Sequence, residues 1–351
     1  MIHISKPMIG REEIKAVKEV LESGMLAQGE VVEEFEDKFA AYIGVNYAIA
    51  TNSGTAALHT ALAAMGIKNG DEVITTSFSF FATASCVLMQ NAKTVFVDIE
   101  PRTYNINQFE IEDKISERTK AIIPVHLYGQ PCKMKEIMDI AEERNLTVIE
   151  DAAQAHGAEY DGKRMGSIGN IGVFSFYSTK NIITGEGGMI TTNDEGIAES
   201  ARMIRNHGQR ERYLHECLGY NYRMTNIAAA IGLAQLKKLD KLNERRISNA
   251  RYYNKRLNAG KPYVAPGVKH VFHQYTIRVK EREKFLEHLE KNGVGYGIYY
   301  PVPLPRQPLF NSGGFFREAE LASKEVVSIP VHPSLSKEGV KRVAEVVNSY
   351  E

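Results

Sequence analysis

Seven short apolar runs between residues 47 and 192 constrain the fold of this 351-residue chain more than any other feature of its sequence. The runs are predicted strands at 47–51, 72–76, 94–99, 121–126, 147–151, 172–176 and 189–192. Stretches between the early runs, such as 55–65 and 133–144, carry apolar residues near i, i+3, i+4 and i+7, the spacing of an amphipathic helix. Strand and helix in alternation predict an α/β fold, with a largely parallel sheet covered by helices on both faces.

The chain after Asn226 predicts a second and smaller unit. A long helical segment runs from Asn226 to about Leu257, and Gly and Pro residues at 260–267 follow it. The remaining segments are a strand at 272–279, a helix at 282–291, a loop with the sequence YYPVPLPRQP, and helices at 317–326 and 337–349. We expect a large domain at 15–240 and a smaller α+β domain at 241–351, on which residues 1–14 pack.

Charge and composition exclude several classes of protein. The chain has 43 Lys and Arg against 43 Asp and Glu, and a net charge of 0 does not suit a nucleic-acid-binding surface. No apolar run approaches the about 18–20 residues of a membrane span, and no apolar signal-peptide segment precedes Arg11. Cys86, Cys132 and Cys217 form no disulfide or metal pattern, so we expect each to be a small buried residue. These observations predict a cytoplasmic protein that binds no metal, membrane or nucleic acid.

Two segments that follow predicted strands offer groups for an anion and a planar ring. Asn52-Ser53-Gly54-Thr55 opens a helix, where free N–H groups and hydroxyls suit a phosphate, although an ordinary N-cap has the same sequence. Ligands of parallel sheets bind beyond the carboxyl ends of the strands, where this segment lies. The run from Thr75 to Phe81 contains three Phe residues, which usually pack in a core, but one ring could stack on a heterocycle.

Two further segments offer a carboxylate and an amine. Asp151 ends an apolar strand, and strand alternation places it opposite Glu150, so that one carboxylate can face a site. The alternative for Asp151 is a structural N-cap. Lys180 lies between aromatic residues and a glycine cluster, a setting that can lower the pKa of an amine and make it a nucleophile. The alternative for Lys180 is a solvated surface charge. A phosphate cradle, a carboxylate, a ring and a lysine together are what pyridoxal phosphate requires.

The chain also resembles a known family, the DegT/DnrJ/EryC1/StrS group of pyridoxal-phosphate enzymes with transferase fold type I. The resemblance covers nearly the whole chain. It includes the motifs NSGTAAL at 52–58, VDIEPRTYNI at 97–106, IPVHLYGQ at 123–130, EDAAQAHGA at 150–158, SFYSTKNIITGEGG at 175–188 and GYNYRMTNIAAAIG at 219–232. The group consists mostly of nucleotide-sugar aminotransferases.

The resemblance implies a role for individual residues. Lys180 resembles the lysine that forms a Schiff base with the cofactor, and Asp151 the carboxylate at its pyridine nitrogen. Gln154 is similar to the amide near the ring hydroxyl, and Phe80 to the stacking aromatic residue. The phosphate contacts implied are Ser53, Gly54, Thr55 and Ser175. Asn221 matches a residue that reaches the phosphate of the neighbouring subunit, which implies a homodimer with shared active sites.

One segment departs from the family pattern. The sugar-contacting loop of relatives often reads HYPxPLH, whereas residues 299–305 read YYPVPLP. We expect Arg223, Tyr299 and Tyr300 to contact the substrate, with domain packing and surface charge as the alternative explanation.

The resemblance implies an aminotransferase that moves an amino group from glutamate, which leaves as 2-oxoglutarate, to a keto sugar linked to a nucleotide. A 4-keto-6-deoxy sugar is favoured and a 3-keto sugar is the other option, in amino-sugar and cell-surface polysaccharide biosynthesis. The first alternative is a dehydratase on the same scaffold, but such relatives carry His in place of Lys180. The second alternative is a regulatory protein without enzymatic activity.

Overall fold

The computed structural model of the chain describes residues 1–258, 260–310 and 312–350. Its helices are α1 Arg11–Ser23, α2 Glu30–Ile43, α3 Gly54–Ala64, α4 Ala82–Met89, α5 Met134–Glu143, α6 Glu195–Arg205, α7 Asn226–Leu236, α8 Leu239–Arg256, α9 Arg282–Lys291, α10 Arg317–Glu325 and α11 Lys337–Asn348. Its strands are β1 Tyr47–Thr51, β2 Glu72–Thr76, β3 Lys93–Val97, β4 Thr119–Ile123, β5 Thr147–Asp151, β6 Glu159–Tyr160, β7 Lys163–Arg164, β8 Ile171–Ser175, β9 Gly188–Thr192, β10 Gln209–Glu211, β11 Leu214–His215, β12 Val268–Lys269, β13 Tyr275–Arg278 and β14 Val326–Ile329.

The seven strands predicted from the apolar runs form one central sheet, in the order β1-β9-β8-β5-β4-β2-β3. Neighbours are parallel except that β9 runs antiparallel to both β1 and β8, which confirms the predicted α/β class. The predicted strands at 94–99 and 121–126 end early, at Val97 and Ile123. The reason at Ile123 is the next residue, Pro124, which has no N–H to continue the ladder.

Helices cover both faces of this sheet. On one face Phe39 of α2 and Ile137 of α5 pack in a core with Val148 of β5. On the other face Leu62 of α3 packs with Ile149. Adjacent residues of β5 thus enter different cores, as strand alternation requires.

The segment predicted as one helix from 226 to about 257 is two helices, α7 and α8, and the prediction was wrong at Lys237 and Lys238. Lys238 Nζ lies 3.2 Å from the Glu12 carboxylate of α1, with which α7 packs. In α8, Leu239 still belongs to the core of the central sheet and Tyr253 to another core, so the change of core occurs within α8 and not at the break. Neither Gly nor Pro stands at the break, and apolar spacing alone does not reveal it.

The C-terminal part contains a strand that the sequence did not predict. β14 pairs antiparallel with β13, and the helix predicted at 317–326 ends at Glu325 because Val326 already belongs to β14. The predicted strand at 272–279 is also shorter, Tyr275–Arg278.

The division into domains at 15–240 and 241–351 stays a prediction. Leu239 packs in a core of the central sheet and Ile247 in the C-terminal core, so α8 extends from one to the other. The N–H of Ile2 donates to Gly293 at 2.8 Å, whereas Glu13 accepts a hydrogen bond from Gln235 of α7 at 2.7 Å. Residues 1–14 therefore contact both parts of the chain.

Two remaining expectations concern cysteines and membranes. Cys86 and Cys132 are buried, but Cys217 is exposed, so the expectation of burial was wrong for Cys217. Cys217 follows the hairpin of β10 and β11, which have three and two residues. A hairpin this short does not form a core that could bury the cysteine. Within the described ranges, no helix combines the length and the hydropathy that crossing a bilayer requires.

Candidate active site

A cavity of about 600 Å³ lies beyond the carboxyl ends of the parallel strands. Its wall includes ten of the site residues predicted from the sequence, namely Ser53, Gly54, Thr55, Phe80, Asp151, Gln154, Ser175, Lys180, Tyr299 and Tyr300. Asn221 and Arg223 are not among its lining residues. The tertiary structure thus brings together groups from five separate segments at the edge where α/β sheets bind ligands.

The beginning of α3 forms one wall of the cavity. Ser53 is its N-cap, and its Oγ accepts a hydrogen bond from the Ala56 N–H at 3.1 Å, so the capping alternative is realised for this side chain. A Cβ at Gly54 would lie 2.7 Å from the Cβ of Ser175, which ends β8. Glycine is therefore required for the helix start to approach β8 this closely. The first N–H groups of a helix lack partners within the helix, and this end suits an anion such as a phosphate.

Asp151 is the buried carboxylate of the cavity. Its Oδ2 accepts a hydrogen bond from Thr83 Oγ1 at 2.8 Å, and its Oδ1 accepts one from the Ala153 N–H at 3.2 Å. Burial raises the pKa of Asp151, and these hydrogen bonds and the charge of Lys180 offset part of that rise. A cationic group placed in the cavity would therefore stabilise the charged form of Asp151, and the carboxylate would in turn stabilise the cation.

Glu150, the adjacent carboxylate, faces the opposite side of β5. It accepts a hydrogen bond from His126 Nε2 at 3.0 Å and others from the N–H groups of Gly166, Ile168 and Gly169 at 2.7–2.8 Å. Its oxygens are satisfied within the protein, so Glu150 has a structural role and supports the strand that carries Asp151.

Lys180 lies on the segment between β8 and β9, and its amine enters the same cavity as Asp151. Loss of solvation lowers its pKa to about 8, against the opposing effect of Asp151. No carboxylate in the described ranges forms an ion pair with it. With this pKa about a tenth of the amines are neutral at pH 7, far more than for a solvated lysine, and the neutral form is the one that acts as a nucleophile or a general base.

We expect the reactivity of Lys180 in the cofactor-free protein to follow this pKa. Below pH 8 the protonated amine is unreactive, so labelling of Lys180 by an amine-specific arylating reagent should slow about tenfold for each pH unit. Above pH 8 the rate should level off. The rate is measured by mass spectrometry of the peptide that contains Lys180, with exposed Lys68 as an internal control. If the labelling rate reaches half of its maximum only near pH 10.5, as for a solvated lysine, Lys180 does not have a lowered pKa.

Aromatic and amide side chains form a further part of the cavity wall. The Phe80 ring is 57% exposed, and its centroid lies 6.2 Å from that of Tyr300, whereas Phe78 is fully buried in a core. Gln154 Nε2 donates to the Tyr300 hydroxyl at 3.1 Å, and Gln154 Oε1 accepts from the Tyr128 N–H at 2.8 Å. These bonds hold the amide in one orientation, since the backbone N–H can only donate.

Asn221 and Arg223 lie on the surface beside the cavity. Arg223 Nε donates to Asn221 Oδ1 at 3.1 Å, and the Asn221 carbonyl accepts from Asn52 Nδ2 at 3.1 Å. Their expected roles, in a neighbouring subunit's site and in substrate binding, stay predictions.

Thr83, Glu186 and His273 are among the lining residues that were not predicted as site residues from the sequence. Thr83 contacts Asp151 from α4, Glu186 belongs to the glycine cluster after Lys180, and His273 precedes β13. A lone Thr or His gives no spacing signal, and Glu186 alone could have been noticed from its place between two glycines.

Comparison with known proteins is consistent with this geometry. The model of the DegT/DnrJ/EryC1/StrS aminotransferase family matches residues 7–348. The "pleiotropic regulatory protein" of Geobacillus stearothermophilus is 43% identical, over 97% of this chain and 94% of its own length. The dTDP-3-amino-3,6-dideoxy-alpha-D-galactopyranose transaminase of Aneurinibacillus thermoaerophilus is 42% identical, over 96% and 94%. A crystal structure of S. venezuelae DesV in complex with a ketimine intermediate superposes with a TM-score of 0.94, at 37% identity over 97% of this chain and 94% of that chain.

Proposed function

The chain belongs to the DegT/DnrJ/EryC1/StrS aminotransferase family, whose cofactor is pyridoxal phosphate, and we propose that it transfers an amino group from glutamate to a keto sugar linked to a nucleotide. The observation that carries the proposal is one cavity with a lysine of lowered pKa, a buried carboxylate and a helix start that suits a phosphate. A carboxylate and an amine are costly to bury without a ligand, and their presence in one cavity beside a helix start supports a binding site.

The residues of the cavity fit pyridoxal phosphate. The proposed phosphate contacts are Ser53, Gly54, Thr55 and Ser175 at the start of α3 and the end of β8. Asp151 would face the ring nitrogen, Gln154 the ring hydroxyl, and Phe80 the ring plane. Lys180 would hold the cofactor covalently. When bound, the cofactor supplies an electron sink for the carbon that loses its proton.

The protein's own groups then have separate tasks. Lys180, once free, would serve as the general base towards the carbon of the amino donor and as the general acid towards the carbon of the sugar, for which a pKa of about 8 is well matched. The charge of Asp151 would favour a protonated ring nitrogen, and Thr83 orients that carboxylate through a hydrogen bond of 2.8 Å. The nucleotide, remote from the reacting carbon, would contribute binding energy that positions the ketone.

The position of the keto group is the finer part of the proposal. The family resemblance favours a 4-keto-6-deoxy sugar. The 3-keto sugar is the second candidate, because a relative with 42% identity is named as a transaminase of a 3-amino-3,6-dideoxy sugar. Tyr299 and Tyr300 line the cavity and are the proposed sugar contacts.

Two other functions are less well supported. A dehydratase on this scaffold is disfavoured because Lys180 occupies the position at which such relatives carry His. A regulatory protein is suggested by the name of one relative. In the present chain, the formal charge of 0 and the lysine of lowered pKa in the same cavity as a buried carboxylate favour an enzyme. The mass of the product, amino sugar or deoxy sugar, distinguishes the first alternative.

The decisive test is a single-turnover experiment with the protein loaded with pyridoxamine phosphate. On addition of a panel of 4-keto and 3-keto sugars linked to UDP, dTDP or GDP, one member should restore the absorbance of the pyridoxal form and yield an amino sugar by mass spectrometry. Glutamate should reverse the change. If no keto sugar reacts and salt-sensitive DNA binding is found, the regulatory alternative replaces this proposal.

We further propose a homodimer with shared sites. Several exposed large apolar residues lie within the first 26 residues, among them Ile14 at 64% and Met25 at 68% exposed, and apolar residues that a subunit interface would cover are the support for this proposal. Asn221 and Arg223 are exposed beside the cavity, and in the proposed dimer they would reach the active site of the second subunit.

A further inference from the structure

A depression of about 450 Å³ lies outside the catalytic cavity and shares no lining residue with it. Three cationic side chains line this depression, those of Arg102, Lys261 and Arg278, together with the rings of Tyr104 and Tyr263. No Asp or Glu is among the described residues that line it. Although the chain as a whole has a balanced charge, this concave patch of its surface is positive only, and such a patch attracts anions.

Arg102 is the best-placed cation of the depression. Its guanidinium carbon lies 3.6 Å from the centroid of the Tyr263 ring, a cation–π contact that holds the group in place. The nearby Glu100 carboxylate accepts the backbone N–H groups of Arg102 and Thr103, at 3.1 and 2.7 Å. Within the described ranges no carboxylate pairs with the Arg102 guanidinium, nor with the exposed amine of Lys261. The N–H donors of the guanidinium therefore stay available for an anion, and their planar arrangement matches a phosphate.

Arg278 is the third cation, and it is held by several bonds. Its Nε donates to the Tyr104 hydroxyl at 3.2 Å and its Nη2 to the Pro101 carbonyl at 3.3 Å. Its Nη1 lies 3.6 Å from the Glu325 carboxylate, which compensates part of the charge. Tyr104 has a φ of 63°, a left-handed conformation that is strained for a bulky residue. Backbone strain of this kind occurs mainly at functional sites, and here it belongs to the residue that fixes Arg278.

Packed side chains separate the depression from the catalytic cavity. The ring of Tyr104 lies with its centroid 5.6 Å from that of Tyr128, and both residues are buried. The Tyr128 hydroxyl donates to the carbonyl of Tyr299, and the Tyr128 N–H donates to Gln154 Oε1 at 2.8 Å. Tyr299 and Gln154 line the catalytic cavity, whereas Tyr104 lines the depression. The depression is therefore a separate site and not an extension of the cavity.

We propose that this depression binds a nucleoside diphosphate at a site distinct from the catalytic one. Arg102 and Lys261, whose charges are uncompensated, hold the phosphates, and the base stacks on the ring of Tyr263. The volume is appropriate, because pockets for small molecules typically have about 300–1,000 Å³. Inorganic phosphate would satisfy the cations alone, and the aromatic ring beside them favours a ligand that also carries a planar group.

Photolabelling of the cofactor-loaded protein with 8-azidoadenosine diphosphate tests the site and its location. Stacking accepts any base, so an adenine probe is suitable. The label should saturate on the peptide that contains Tyr263, as identified by mass spectrometry. Arg102→Gln should raise the half-saturating concentration about tenfold, the effect of losing one charged hydrogen bond, and Lys261→Gln should raise it several-fold. Arg251→Gln, at an exposed arginine of α8 that does not line the depression, is the matched control and should change it less than about twofold.

Competitors identify the class of ligand. ADP in excess should abolish the label on this peptide, adenosine should not, and pyrophosphate should compete about tenfold less well than ADP because it has no base to stack. Adenosine or pyrophosphate that competes as well as ADP would overturn the proposal. An unlabelled peptide, or equal effects of Arg102→Gln and Arg251→Gln, would overturn it too. The labelling involves neither a sugar nor turnover, so its outcome is independent of the proposed reaction.

Discussion

Replacing Lys180 by Ala is expected to reduce turnover on the order of 10⁴-fold and to remove the visible absorbance of the covalently bound cofactor. Lys180 is the amine with a lowered pKa in the cavity, and it serves both as the covalent attachment and as the group that moves the proton. Its side chain forms no ion pair in the described ranges, so its removal should leave stability nearly unchanged. Initial rates, absorption spectra and thermal unfolding of the purified variant measure the three expectations.

Thr179→Ala is the matched control for this substitution. Thr179 lines the same cavity one residue earlier, and its loss should leave both absorbance and turnover within a few-fold of the parent. A Lys180→Ala protein that transaminates at the parent rate would show that another group does the chemistry. If the sites are shared, mixing Lys180→Ala with Asn221→Ala chains should restore part of the activity, since one mixed site then has both residues intact.

Replacing Asp151 by Asn is expected to reduce turnover roughly 10²–10⁴-fold, the effect of losing about 3–5 kcal/mol from a buried charge pair. Asn has nearly the same shape but no charge, so it cannot stabilise a protonated ring nitrogen as the buried carboxylate would. Cofactor affinity should fall as well. Turnover, the dissociation constant of pyridoxal phosphate and the pH dependence of the cofactor spectrum are the measurements.

Thr83→Val provides the graded comparison for Asp151→Asn. It removes one hydrogen bond of 2.8 Å to the carboxylate and leaves the charge in place, so a loss of about tenfold is expected. If Asp151→Asn costs no more than Thr83→Val, the carboxylate acts only as a hydrogen-bonding group, and its proposed electrostatic role is wrong.

The large-scale fold followed from local patterns. Each apolar run that predicted a strand became a strand of the central sheet, because strands buried on both faces need continuous apolar residues. Asp151 and Lys180 were found because each lies next to such a run. The break between α7 and α8 and the strand β14 were missed, since they depend on which distant segment packs there.

The sequence by itself determined the α/β architecture, the family, and the residues next to strand ends, because spacing along the chain and chemical type are local properties. Only the tertiary structure decided that ten of the predicted residues share one cavity, that Thr83 holds Asp151, and that Glu150 is satisfied elsewhere. It also decided the hydrogen position on His273, because the His156 carbonyl, more than a hundred residues away in the chain, orients the amides of Asn243 and Asn181, and the Asn181 oxygen faces His273 Nδ1. Burial and hydrogen-bond direction are set by neighbours in space, and sequence spacing does not contain them.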